Sequence, residues 1–135
     1  MKYTLITGAS QGMGLLMAKK CATLKRNVLL ISLPNENLSN IAIEISNEFQ
    51  VSCHYFEIDL TLNDSAKKIF NWVKENNFLV DFLINNAGFG GFGPFESYSS
   101  EYIENMLDLN VKATTKMTHY FCLLYTSDAA DESTG

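Results

Sequence analysis

A chain of 135 residues has room for one domain with a sizeable core and gives no reason to divide it further. Hydrophobic residues at 47% against charged residues at 19% exclude intrinsic disorder. A net charge of −5 without any Lys/Arg cluster excludes a phosphate-tracking nucleic-acid surface. Cys21, Cys53 and Cys122 are odd in number and far apart, which fits neither a disulfide framework nor a zinc site and points to a reducing cytoplasm.

The opening residues Met1 to Ile6 form an apolar, β-branched run that a glycine turn interrupts too soon for a signal peptide. Lys2–Thr7 is predicted as the first strand, ending at Gly8. A helix follows from near Gly12, with Ala18, Cys21 and Ala22 toward the sheet. Asn27–Leu33 is the second strand, stopped by Pro34. Its apolar run, Val28 to Leu33, is far too short for a membrane span, so no membrane partner is expected. Leu38, Ile41, Ala42, Ile45 and Phe49 recur at helical spacing, and Val51–Ile58 alternates as a third strand. Ala66, Ile69, Phe70 and Val73 mark a third helix, with Asn63 or Asp64 placed to cap it.

Phe82–Ile84 is predicted as a buried fourth strand running into Asn85-Asn86-Ala87-Gly88. The Gly- and aromatic-rich stretch Phe89–Tyr98 is a loop, since Pro94 forbids a continuing strand. Ser99 or Ser100 caps a helix from Glu101, whose periodicity continues through Met106, Leu109, Ala113, Met117 and Tyr120. Strands alternating with amphipathic helices predict an α/β fold with a parallel sheet, and no solenoid repeat interrupts it. His54 and His119 lack any partner spacing for a metal or nucleophile, so no metal site is expected.

The chemistry is concentrated in Thr7-Gly8-Ala9-Ser10-Gln11-Gly12-Met13-Gly14. A pyrophosphate needs backbone N–H donors, a helix N-terminus and close approach. Glycine permits a left-handed turn and removes the Cβ that would collide with the ligand. A strand before and a helix after is the context such a turn requires.

The spacing Thr-Gly-x-x-x-Gly-x-Gly resembles the short-chain dehydrogenase/reductase family rather than dehydrogenases with G-x-G-x-x-G. Asp59-Leu60, Asn85-Asn86-Ala87-Gly88 and Asn110 in Leu109-Asn110-Val111 match further family motifs in the same order. The resemblance implies a Rossmann-like, doubly wound parallel sheet, here truncated to about four strands where a complete fold has about six. It implies NADP or NAD contacts at Gly8, Ser10, Gln11, Gly12, Met13, Gly14, Asp59, Leu60, Asn86, Ala87 and Gly88. Asp59 would accept from the adenine amino group, and the Asn-Asn-Ala-Gly motif would support the sheet and pass the ribose. The family asparagine that Asn110 matches helps hold a water in a proton relay to the active-site lysine. An acid at the end of the second strand marks NAD and an Arg there marks NADP, but Ser32 and Leu33 occupy those positions, which tilts the expectation slightly to NADP.

The family's catalytic Ser and Tyr-x-x-x-Lys have no counterpart here, because Tyr120 and Tyr125 are followed four residues on by Leu124 and Ala129. From Cys122 the sequence turns small and acidic, breaks the helical pattern and resembles a translated transposon-end adapter from sequencing-library preparation. Residues 1–121 are therefore expected to be the N-terminal part of the dinucleotide-binding domain, and 122–135 a non-native tail. The function implied is hydride transfer between NAD(P)H and a small carbonyl or alcohol, in a parent protein that is homo-oligomeric. The fragment itself is expected to be inactive, with an apolar, aggregation-prone edge on its fourth strand. A non-catalytic dinucleotide-binding regulator or sensor is the alternative. Extended relatives such as epimerases and a methyltransferase-type fold fit the Asn-Asn-Ala-Gly motif less well. The loop Phe89–Phe95 lines the nicotinamide end or serves packing.

Overall fold

The computed structural model describes residues 2–91 and 93–134, with side chains as far as Leu124; Met1, Phe92 in the expected loop, and Gly135 lie outside the described residues. Four parallel strands, β1 (Lys2–Thr7), β2 (Asn27–Ser32), β3 (Cys53–Glu57) and β4 (Leu79–Ile84), lie in the order β3-β2-β1-β4. This is the order of one side of a doubly wound sheet plus the first strand beyond its switch point, between β1 and β4. Ligands bind such sheets in the crevice where the order reverses, so the topology already places the site.

The central strands β1 and β2 are buried almost throughout, as their near-continuous apolar sequence requires of parallel strands covered on both faces. Alternate residues feed two cores. Leu5, Leu29 and Ile31 pack with Ile69 and Val73 of α3 (Ser65–Glu75) and Met117 and Phe121 of α5 (Thr114–Thr134). Ile6, Val28 and Leu30 meet Ala18 and Ala22 of α1 (Gly12–Thr23) and Leu38, Ala42 and Ile45 of α2 (Leu38–Phe49). Each buried Leu or Ile stabilises by roughly 1.5–3 kcal/mol, so the two layers hold the strand ends fixed.

Several boundaries differ from the sequence expectation. β2 stops at Ser32, leaving Leu33 exposed before Pro34. β3 is shorter than Val51–Ile58 and ends at Glu57, although Ile58 N–H still donates to Ser32 O at 2.8 Å; Asp59 thus stands in a turn, not on the strand. β4 begins at Leu79 rather than Phe82, because its register on β1 shifts past Asp81, whose carboxylate pairs with Arg26. The expected cap of α3 does not form. Asp64 sits at the N-cap but its carboxylate lies 3.4 Å from Lys68 Nζ, and Asn63 Oδ1 accepts from Lys112 Nζ at 2.6 Å. Ser99 does cap α4 (Ser100–Leu107), accepting from Tyr102 N–H at 3.0 Å. The continuous helix expected after Glu101 is instead broken in winding by a π-helical stretch, Asp108–Ala113. α5 then runs past Cys122 to Thr134, so the change to small, acidic residues does not end the helical backbone.

Candidate dinucleotide-binding site

The glycine turn leaves β1 at Thr7 and enters α1 at Gly12, with Gly8 at φ +64° and Gly12 at φ +58°. Both angles lie where an L side chain is strained. The glycines nevertheless serve different ends. A Cβ on Gly14 would meet Gly8 O at 2.0 Å and Asn86 Nδ2 at 2.5 Å, whereas one on Gly12 would meet nothing within 4 Å. Gly14 therefore lets α1 pack onto its own turn, and Gly12 leaves the outer side open. Gln11, at the N-cap of α1, makes no side-chain cap and the first turn holds no acid. The first amides thus have no side-chain acceptor, which suits an anion at the positive end of the helix.

Thr7 joins this turn to the end of β4. Its buried Oγ1 accepts from Asn86 N–H at 3.0 Å and Ala87 N–H at 2.9 Å, while Asn86 Nδ2 donates to Gly8 O at 3.1 Å. Asn85 Nδ2 donates to Thr118 Oγ1 on α5 at 3.1 Å. Asn110, in the π-helical stretch, clamps the next residue: its Oδ1 accepts from Phe89 N–H at 2.9 Å and its Nδ2 donates to Phe89 O at 2.6 Å. Gly88 makes room for that clamp, since a Cβ there would lie 2.8 Å from Asn110 Oδ1. Turn, strand end and helix are one hydrogen-bonded unit.

A cleft of about 670 Å³ opens at the C-terminal ends of the strands. The turn contributes Gly8, Ser10 and Gln11; the end of β2 and its loop contribute Ser32, Leu33 and Glu36. Ile58, Asp59, Leu60 and Thr61 follow β3, Asn86 to Phe89 follow β4, and Asn105 and Leu109 close the far side. Eight of the expected contact residues therefore share one cleft: Gly8, Ser10, Gln11, Asp59, Leu60, Asn86, Ala87 and Gly88. Gly12, Met13, Gly14 and Asn110 do not line it. The Met13 side chain is 70% exposed and has only its backbone to offer, and Asn110 is committed to Phe89.

Asp59 Oδ1 accepts from Thr61 N–H at 2.9 Å and Thr61 Oγ1 at 2.7 Å, which fixes its carboxylate at the cleft wall. Thr61, Asn105 and Glu36 join the cleft without having been expected there, and Thr7, expected only as the first residue of the turn, proves to be its tie to β4. A buried hydroxyl closing β1 directly before the glycines was the signal for Thr7. For Glu36 the signal was an acid three residues beyond Leu33, on the loop instead of the strand. Among the described residues, no group of three or more His, Cys, Asp or Glu is placed to hold a metal ion, and no helix is long and apolar enough to cross a membrane.

Known proteins resemble this arrangement in both sequence and shape. The chain is 30% identical over 117 residues to 3-oxoacyl-(acyl-carrier-protein) reductase FabG of Aquifex aeolicus, covering 87% of this chain and 47% of that protein. A short-chain dehydrogenase from Sphingobium yanoikuyae in complex with NADPH superposes with a TM-score of 0.85 at 26% identity, covering 95% of this chain and 50% of that one. An alcohol dehydrogenase from the archaeon Thermococcus sibiricus, complexed with 5-hydroxy-NADP, gives 0.84 at 30% identity, covering 90% and 52%. The chain spans about half the length of the curated relatives it matches. The family model for short chain dehydrogenases matches residues 2–129, and with the glycine turn, Asp59-Leu60 and Asn86 to Gly88 brought to one switch-point cleft, the chain belongs to the short-chain dehydrogenase family.

Proposed function

We propose that this chain is the dinucleotide-binding half of an NAD(P)-dependent oxidoreductase that moves a hydride between the cofactor and the carbonyl or alcohol carbon of a small molecule. One observation carries the reading: Thr7 Oγ1 binds the backbone of Asn86 and Ala87, locking the glycine turn against the end of β4 with a cleft in front of both. The residues present fit a nicotinamide dinucleotide, because Gly14 fills no space its neighbours need and the α1 amides face outward without a side-chain cap. When bound, the cofactor supplies or accepts the hydride. The chain's own part is to bind and orient. Gly8, Gly12, Met13 and Gly14 offer backbone to the pyrophosphate, Ser10 and Gln11 offer side chains to phosphate or ribose, Asp59 and Leu60 wall the adenine, and Asn86 to Gly88 pass the second ribose. Asn110 Oδ1 and Nδ2 each make one bond to the Phe89 backbone, so Asn110 would hold a relay water through its second amide N–H, its second Oδ1 lone pair or its backbone carbonyl, in a π-helical stretch of the kind often found at functional sites.

NADP or NAD is the cofactor. The absence of an acid at Ser32 and Leu33 favours NADP, and the solved relatives named above carry NADPH and 5-hydroxy-NADP. We place the parent in the cytoplasm as a homo-oligomer, in keeping with three unpaired cysteines, and residues 122–135 outside its native sequence. The parent gene tests both points about the chain: a Ser and a Tyr-x-x-x-Lys downstream of Phe121 would establish the enzyme. Their absence would make it a dinucleotide-binding regulator, and an open reading frame continuing through Cys122-Leu123-Leu124 to Glu132 would refute the tail assignment. Binding is tested directly by titrating the 135-residue chain with NADH and following nicotinamide fluorescence. Saturable one-to-one binding is expected, weakened about tenfold by Thr7→Val, which frees the Ala87 amide and unties the glycine turn from the end of β4. No saturable binding of either NADH or NADPH would overturn the proposal.

A further inference from the structure

The acid that Ser32 and Leu33 do not supply is delivered by the loop after them. Ser10 Oγ donates to Glu36 Oε1 at 2.7 Å, which joins the glycine turn to the β2–α2 loop across the cleft, and both residues line it. The loop is held on every side. Pro34 fixes its entry, and Asn35 (φ +66°) and Asn37 (φ +63°) flank Glu36 in the left-handed region that asparagine tolerates. Asn35 N–H donates to Glu57 Oε2 at 3.1 Å, and Asn40 Nδ2 donates to Asn37 Oδ1 at 2.6 Å. Glu36 Oε2 has no protein partner among the described residues, so one carboxylate oxygen is anchored and the other is available to a ligand. The cleft wall holds two carboxylates, Glu36 and Asp59, and no Lys, Arg or His among the described residues.

We infer that Glu36, oriented by Ser10, selects the unphosphorylated adenosine ribose and makes NAD rather than NADP the preferred cofactor. The inference rests on the dinucleotide reading above and reverses the tilt that Ser32 and Leu33 gave. In switch-point folds the end of the second strand faces the adenosine ribose, whose 2′-hydroxyl donates to a carboxylate there. A 2′-phosphate brings a further charge of about −1.5 to −2 to the same place. It meets an anion already fixed in position and finds no cation on the wall to offset it. The acid stands not on the strand but on a loop braced by two left-handed asparagines.

The test is a pair of titrations of the 135-residue chain with NADH and NADPH at low ionic strength, at low micromolar protein, repeated on Glu36→Gln and Glu36→Asp. The wild type should bind NADH at least about tenfold more tightly than NADPH. Glu36→Gln, which removes the charge at nearly constant volume, should bring the two within about threefold, chiefly by tightening NADPH. Glu36→Asp keeps the charge and should keep the preference for NADH. Equal binding or a preference for NADPH in the wild type overturns the inference, as does an unchanged ratio in Glu36→Gln or identical behaviour of the Gln and Asp variants. Binding of neither cofactor by the wild type removes the dinucleotide reading itself, a result distinct from binding both alike.

Discussion

Gly14→Ala is the substitution for which the structure gives the sharpest energetic expectation. The new methyl group would start 2.0 Å from Gly8 O and 2.5 Å from Asn86 Nδ2, against an ordinary contact of 3.4 Å or more. The atom in the way is a backbone oxygen, so the whole turn or the start of α1 must move. Such overpacking costs about 3 kcal/mol at the upper end of its usual range. The movement also parts Gly8 O from Asn86 Nδ2, a hydrogen bond contributing about 1 kcal/mol. Alanine's better helix propensity returns about 1 kcal/mol. The net loss is about 3 kcal/mol, a large part of the roughly 5–15 kcal/mol that holds an ordinary domain. Gly12→Ala meets no atoms and pays only for its φ of +58°, about 1 kcal/mol. Trp72, the single tryptophan, packs between Phe56 and Phe78 and reports unfolding by its fluorescence. In urea the midpoint of Gly14→Ala should fall below that of Gly12→Ala by about 1 M, from a difference of about 2 kcal/mol and an ordinary slope. Equal midpoints, or a Gly14→Ala protein as stable as wild type, would refute the account of how the turn is packed.

Other substitutions separate the remaining contacts. Thr7→Val keeps the shape but leaves the Ala87 amide unpaired and Asn86 N–H with Ile84 O alone, and should cost about 1–3 kcal/mol in the same urea assay, whereas Thr7→Ser should recover most of it. Asn110→Ala releases Phe89 at both its N–H and C=O, and should raise amide exchange at Phe89 and Gly90 by about tenfold, measured by hydrogen–deuterium exchange. Burial pushes the Cys53 thiol from its ordinary 9.0 up to about 12, so the unfolded chain gives up that proton first. Stability from this group is intact below pH 9 and falls as pH rises through 12; Cys53→Ala should flatten that slope in alkaline urea titrations. β4 ends the sheet with Phe82 52% exposed, so the chain should associate with rising concentration. Phe82→Lys should shift sedimentation toward the monomer.

Much of this was legible in the sequence because periodicity and glycine chemistry are local. The strand Lys2–Thr7, the helix from Gly12 and the helix over Leu38–Phe49 follow from apolar spacing and turn residues alone. What escaped depends on where side chains point in three dimensions. Asp81 bulges from β4 to meet Arg26, and this lengthens a strand whose apolar run begins only at Phe82. Asp64 stands at a cap position yet turns toward Lys68, since a carboxylate beside a lysine one turn on has a competing partner. The π-helical winding at Asn110 leaves no mark in the apolar pattern, because it inserts a single turn's slack into a helix that otherwise continues. Glu36 was hidden for the reason that makes it interesting: its place in the cleft is set by two left-handed asparagines and a hydrogen bond to Ser10, none of which follows from hydrophobic spacing.

The central claim is that a nicotinamide dinucleotide lies across the C-terminal ends of β1, β2, β3 and β4. It is tested most directly by amide chemical shifts of the labelled chain during an NADH titration. The account predicts saturable shifts concentrated at Ser10 to Gly14, Glu36, Asp59 to Thr61 and Asn86 to Phe89. Absence of saturable shifts, or shifts gathered at the opposite end of the sheet around Ser52, His54 and Phe78, would contradict it.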